Sequence, residues 1–194
     1  MSYYGNDEQT LVSNEALLIA WIRQDPVRMR ALSLVNSLNL PQGMIAAGFV
    51  RNLVWDRLHK MTSCTPLNDI DVIYFESTDL STETDKLYEL KLRELAPDLL
   101  WSVKNQARMH MRNGDKPYHS SLDAMSYWPE QETAIGVSLA FAEENELQLV
   151  SAFGLESLFN LQLTPNPKRL RAVFEARLSK KAWLRDYPKL NVDE

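Results

Sequence analysis

The chain reads as α/β (α+β): a mixed β-sheet flanked by helices, with a C-terminal β-hairpin and helix. Three observations predict this. Between Met44 and Phe75 a short apolar run, Met44 to Ala47, meets Gly48, and Val50, Leu53, Val54 and Leu58 follow at helical spacing. A turn-rich stretch, Thr62 to Asn68, then leads into Asp69-Ile70-Asp71 and the apolar Val72-Ile73-Tyr74-Phe75, giving strand, turn, helix, loop and strand. Further on, Thr133 to Phe141 sets large Ile135, Val137, Leu139 and Phe141 against small Ala134, Gly136, Ser138 and Ala140. With Leu147 to Phe153 it makes a hairpin across a polar turn, 143–146.

The remaining elements follow in order. Residues 1–12 read as a loose tail. Asn14 caps a first helix with Leu17, Leu18, Trp21 and Ile22 on its apolar stripe. Asp25-Pro26 starts a second, with Val27, Ala31, Leu34, Val35 and Leu38 inward. After the polar loop 77–82, a helix over about 83–95 turns Leu87, Leu90 and Leu95 inward and stops near Pro97. Leu99 to Val103 is the next strand. Ser120 to Asp123 is a capped helix start, and a short helix falls near 155–159. Pro165-Asn166-Pro167 breaks the chain before a last helix over about 168–184, with Leu170, Val173, Phe174 and Leu178 buried.

Composition sets bounds. A length of 194 residues with 45% hydrophobic content suits a single domain, 1–194, with a real core. A net charge of -5 argues against generic DNA binding, which needs a basic surface, though a local basic patch is compatible with it. The one cysteine, Cys64, forms no internal disulfide, the first ten residues are polar, and no apolar run spans a membrane. A cytoplasmic protein without membrane contact is the expectation.

Asp69 and Asp71 are the residues that ask for a function. Period two puts them on one face, roughly 6–7 Å apart along the strand. Carboxylates at the mouth of a buried strand are costly unless a cation sits there. Two such ligands completed by substrate phosphates suit Mg²⁺ (or Mn²⁺). A turn-capping role accounts for Asp69 after Asn68, but less readily for Asp71 inside the strand. Gly48 lets backbone approach a phosphate, and the helix beginning there offers free amides to an anion. Arg51 and Asn52, beside that turn, are candidate side-chain donors. A second polar cluster, Lys104, Asn105, Gln106, Arg108 and His110, ends the next strand, and binding phosphate or capping the sheet are equal readings of it. Asp56 and His59 read as a solvated helix face, and the five tryptophans as core. His110 has no partner at zinc spacing, and no serine sits in a nucleophile elbow.

The order Gly48, then Asp69-Ile70-Asp71-Val72, resembles the nucleotidyltransferase superfamily, the fold of DNA polymerase beta. The segments GFVRNLVWD, TPLNDIDVIYF, VKNQARMH, FGLESLF and PNP, together spanning roughly Leu17 to Pro188, resemble an uncharacterised bacterial branch of it. The resemblance implies metal-dependent transfer of a nucleoside monophosphate from a nucleoside triphosphate to an acceptor it does not specify. Asp69 and Asp71 would be the catalytic metal ligands; Gly48, Arg51, Asn52, Lys104, Asn105, Arg108 and His110 would contact nucleotide or phosphate. The sequence departs from the superfamily pattern at two points. Phe49 stands where a second small residue is usual, and no acid occurs in Leu99 to Asn105, where a third carboxylate is expected. Asn105 is the residue expected to face the cleft in its stead, and Asp56, Asp115, Asp123 and Glu132 are further candidates. The alternative is the same fold without chemistry, a module that binds nucleotide, RNA or a protein partner.

Overall fold

In the computed structural model, residues 12–140 and 146–193 are described. Two helices lead: α1 (Asn14–Arg23) and α2 (Pro26–Ser37). Then come β1 (Met44–Ala46), α3 (Gly48–His59), β2 (Ile70–Tyr74), α4 (Thr82–Leu95) and β3 (Trp101–Asn105). Short helices α5 (Met109–Asn113) and α6 (Ser121–Met125) precede the hairpin of β4 (Ile135–Leu139) and β5 (Leu147–Ser151). The chain ends in α7 (Glu156–Phe159), β6 (Gln162–Leu163), α8 (Arg171–Lys180), α9 (Trp183–Asp186) and β7 (Asn191–Val192).

The main sheet runs β3-β2-β1-β4-β5 and is mixed: β2 and β3 are parallel, the other pairs antiparallel. The parallel pair requires a crossover, which α4 supplies while packing on β3. One face of β2 sends Ile70, Val72 and Tyr74 into the main core beside Leu53, Val54 and Trp55 of α3. The other face gives Ile73 to a small cluster with Met44, Ala46, Met125 and Ala134. Gly136 of β4 is required there: a Cβ would stand 2.5 Å from Met44 Sδ. The mixed sheet, the hairpin and the helices on either side match the fold class read from the sequence.

Several local expectations are corrected. Ser13, not Asn14, caps α1, its side chain accepting from Ala16 N at 3.1 Å. In α2, Val27 is exposed and Arg28 is buried, because its Nε donates to Phe49 O at 2.9 Å and it pairs with the capping Asp25. In α4, Leu87, Leu90 and Leu95 point outward, 59%, 49% and 54% exposed, while Asp85 and Leu92 are buried. The inward stripe is polar at Asp85 because that carboxylate takes Tyr74 OH at 2.8 Å, Asn105 N at 3.1 Å and the Arg108 guanidinium. The last helix is two helices, α8 and α9, with Leu170 and Val173 exposed and Phe174 buried. The hairpin strands are shorter than read; Phe141 and most of the turn lie outside the described residues, as does nearly all of the N-terminal tail. The third strand is shifted to Trp101–Asn105.

Candidate active site

Asp71 is the second residue of β2, in register with Ala46 of β1 and Ser102 of β3. The chain leaves β1 through Ala47 and enters α3 at Gly48, so the start of α3 and the start of β2 stand side by side. Ala47, not Gly48, takes a positive φ, 58° with ψ -124°, a backbone conformation in which an alanine is strained. Gly48 has open surroundings: a Cβ would meet Arg51 Nη2 and Asn52 Nδ2 only at 3.5 Å. Its value is close backbone approach rather than a turn that only glycine can make.

A cleft of about 430 Å³ opens here, bordered by Ala47, Asp71, Lys104, Arg112, Tyr127, Trp128, Thr133, Arg169 and Arg177 among others. Asp71 is half-buried, and Asp69 is exposed just outside the strand. Among the described residues, no side chain donates a hydrogen bond or ion pair to either carboxylate. Burial, then the neighbouring Asp69 charge, pushes the Asp71 carboxyl up to about 6, and the more distant Arg51, Lys181 and Arg177 only partly offset this. Asp71 borders the cleft, with the Asp69 charge near enough to act on it and the protein cations too distant to pair with it.

Arg51 and Asn52 lie beside it. Arg51 is buried, donating from Nη1 to Thr133 Oγ1 at 2.7 Å and from Nη2 to Asn52 Oδ1 at 2.9 Å. Its guanidinium therefore faces protein partners, not the cleft. The second polar cluster divides. Lys104 borders the cleft, its Nζ 3.1 Å from Val103 O and 4.0 Å from Glu89. Asn105 does not face the cleft, contrary to expectation. It is fully buried: Nδ2 donates to Glu76 O and Asp79 O at 2.7 and 2.8 Å, and Oδ1 accepts from Glu76 N and Ala107 N at 3.1 and 3.0 Å. Strict alternation holds to the end of β3, so Asn105 falls on the core face with Tyr74, its register partner. Arg108 is committed to Asp85, and His110 Nδ1 bonds Ala107 O at 2.8 Å, its ring edge against Tyr118. Neither borders the cleft that holds Asp71.

Among the described residues, the other candidate acids have partners of their own. Asp56 accepts from Thr65 N and Thr65 Oγ1 at 2.8 and 2.7 Å, and Asp115 holds Arg169 at 2.6 and 2.8 Å. Asp123 caps the His119 amide at 2.9 Å and Glu132 takes Thr164 N at 2.9 Å. Among the described residues no three His, Cys, Asp or Glu converge. Two carboxylates are hard oxygen ligands of the kind that would suit Mg²⁺ or Mn²⁺ if phosphate oxygens completed the shell.

The far wall comes from residues the sequence did not mark. Tyr127 and Trp128 border the cleft, the Tyr127 ring packed by Lys168 Nζ at 4.4 Å and by the Tyr118 ring at 5.1 Å between centroids. Arg169 and Arg177 border the cleft while paired with Asp115 and Glu130. Trp128, expected in the core, packs against the small cluster of Met44, Ile73 and Met125 and also borders the cleft. These residues are remote in sequence from the Asp69–Asp71 motif, and no local pattern distinguishes them from surface arginines and packed aromatics.

The five-stranded mixed sheet flanked by helices is a nucleotidyltransferase-type fold. Residues 33–192 match the nucleotidyltransferase family, and the chain belongs to it. A structure solved by NMR and described as revealing a CCA-adding enzyme head domain is similar at 36% identity over 95% of this chain and 98% of that one, with a TM-score of 0.82. A CCA-adding enzyme in complex with CTP and the Thermotoga maritima CCA-adding enzyme complexed with tRNA share the fold at 13% identity, each with a TM-score of 0.59. This chain spans only 43% and 42% of those two. No curated protein matches. No described helix is long and apolar enough to cross a membrane.

Proposed function

We propose that this protein transfers a nucleoside monophosphate from a nucleoside triphosphate to an acceptor hydroxyl, using Mg²⁺ or Mn²⁺ held by Asp69 and Asp71. The observation that carries this reading is the half-buried Asp71, beside Asp69 and the start of α3, with no protein cation in contact. Cleft volume and lining suit a nucleotide: aromatic surface at Tyr127 and Trp128, cations at Lys104 and Arg112. The α3 N-terminus and the bare Gly48 backbone bind phosphate oxygens. In the reaction the acceptor hydroxyl gives its proton to solvent as its oxygen bonds the α-phosphorus, the bond from that phosphorus to the bridging oxygen breaks, and pyrophosphate leaves with that oxygen. A bound divalent ion neutralises charge on the triphosphate and lowers the cost of that displacement. The structural neighbours solved with CTP and with tRNA make CTP the first donor to try and tRNA the first acceptor. The lone exposed cysteine suits the cytoplasm.

The second reading, a binding module without turnover, is favoured by Ser102, which stands opposite Asp71 where an acid would complete the metal site. Calorimetric titration of CTP with and without Mn²⁺ tests binding, and incorporation of labelled CTP into tRNA tests transfer. Wild type should bind CTP only weakly without metal, and Asp71→Ala should lose the Mn²⁺-dependent gain, at least about tenfold. Equal affinity in both would overturn the site. Gly48→Ala should weaken CTP binding while leaving the fold intact, since its Cβ finds space.

A further inference from the structure

Arg51 is 6% exposed, and no carboxylate touches it. Burial pushes its guanidinium down to about 10, so it remains charged at neutral pH. Two of its nitrogens donate to Thr133 and Asn52, and Nε has no partner among the described residues. A buried cation so placed needs another source of stabilisation. Two indole faces provide it: the guanidinium carbon lies 4.8 Å from the Trp55 ring centroid and 4.5 Å from that of Trp183. Trp55 is a neighbour one turn along α3. Trp183 arrives from α9, near the other end of the chain.

The segment bearing Trp183 is anchored on both sides. Before it, Arg177 pairs with the buried Glu130 and lies 6.0 Å from the Trp183 ring. After it, Tyr187 OH bonds Asp56 at 3.0 Å and Thr65 at 2.7 Å, and β7 pairs with β6. Thr65 belongs to the loop that delivers Asp69. Thus the C-terminal segment grips the first turn of α3 and the loop before β2, the two pieces of chain that meet at the carboxylates.

We propose that Trp183 is a positioning residue for the nucleotide site: by closing the stack on Arg51 it fixes the first turn of α3, hence Gly48 and Asn52, and holds Arg177 at the cleft. As far as it concerns nucleotide, the inference rests on the function proposed above. Trp183 touches no reacting atom; it acts through Arg51.

The test measures Mn²⁺-CTP affinity and amide hydrogen exchange on wild type, Trp183→Leu, Trp183→Phe, Arg51→Lys and the Trp183→Leu/Arg51→Lys double variant. The Val50 and Arg51 amides, both bonded to Ala47 O, report the first turn of α3. Trp183→Leu should speed their exchange while leaving β4 and β5 protected, and weaken CTP about tenfold. Trp183→Phe, which restores a ring, should stay within about threefold. The double variant should be no weaker than the worse single variant by more than about twofold, because both remove one interaction. Additive losses, or unchanged exchange at Val50 and Arg51 in Trp183→Leu, would overturn the proposal. Should Trp183→Leu not fold, Trp183→Met, which also removes the ring but fills more of its space, takes its place in the exchange readout and in the cycle. If wild type binds no Mn²⁺-CTP, the proposed function fails, and the exchange readout alone decides the positioning role.

Discussion

Asp71 and Ser102 are register partners in the parallel pairing of β2 with β3, on the same face of the sheet. Adjacent strands lie about 4.8 Å apart, so a carboxylate at position 102 would stand within one ion's reach of Asp71. Ser102→Asp should therefore tighten Mn²⁺ binding, by about tenfold, and lower metal-free stability by adding a like charge. Paired Mn²⁺ titration and thermal melts check both effects. An unchanged Mn²⁺ affinity would remove Ser102 from the site.

The raised pKa of Asp71 gives a pH prediction with a definite sign. The folded chain holds a proton up to about pH 6, whereas an unfolded Asp releases it near 4. Between those values the native state binds more protons than the unfolded one, so stability falls as pH rises through that window. A shift of this size corresponds to at most about 3 kcal/mol. Asp71→Asn should match wild type at pH 4 and be the more stable protein at pH 7. Urea unfolding at both values reads this, and the same gap at both would show that Asp71 ionises normally. Mn²⁺ binding to wild type should strengthen as pH rises past 6, as the ligand loses its proton.

Lys104 and Arg108 belong to one polar run yet should behave oppositely. Lys104→Ala removes a half-exposed cation from the cleft wall; stability should change by less than about 0.5 kcal/mol while CTP binds severalfold more weakly. Arg108→Ala leaves Asp85 buried without its guanidinium, at a cost of about 3 kcal/mol. The folded fraction of that variant should bind CTP like wild type. Denaturant midpoints and calorimetry on the two variants distinguish the roles. A CTP defect in Arg108→Ala comparable to that of Lys104→Ala would return Arg108 to the nucleotide site.

Much of this molecule was legible in its sequence because the signals were local. Turn, helix and strand around Gly48 and Asp69-Ile70-Asp71 follow from periodicity and from two acids beside an apolar run. The hairpin followed from the large and small faces of 134–140, and Gly136 is small because Met44 fills the space a side chain would take. Helix faces were less secure. Leu87, Leu90 and Leu95 were expected inward, but a buried ion pair, Asp85 with Arg108, set the rotation of α4 instead. The partner of Asp85 lies on another element, and one helix's pattern does not reveal it.

By itself, then, the sequence determined the order of the five strands of the main sheet and the helices between the first three of them, the mixed sheet and the carboxylate motif, since each depends on residues a few positions apart. Tertiary structure alone decided which polar residues reach the cleft. Asn105 turns to the core and Lys104 to the cleft because β3 pairs with β2 in one particular register. Arg51 is drawn into a tryptophan stack by a residue near the far end of the chain. Tyr127, Trp128, Arg169 and Arg177 come to the cleft wall through the packing of the C-terminal half. Such placements arise from contacts between segments far apart in the chain, and the energy that fixes them exists only once those segments are folded together.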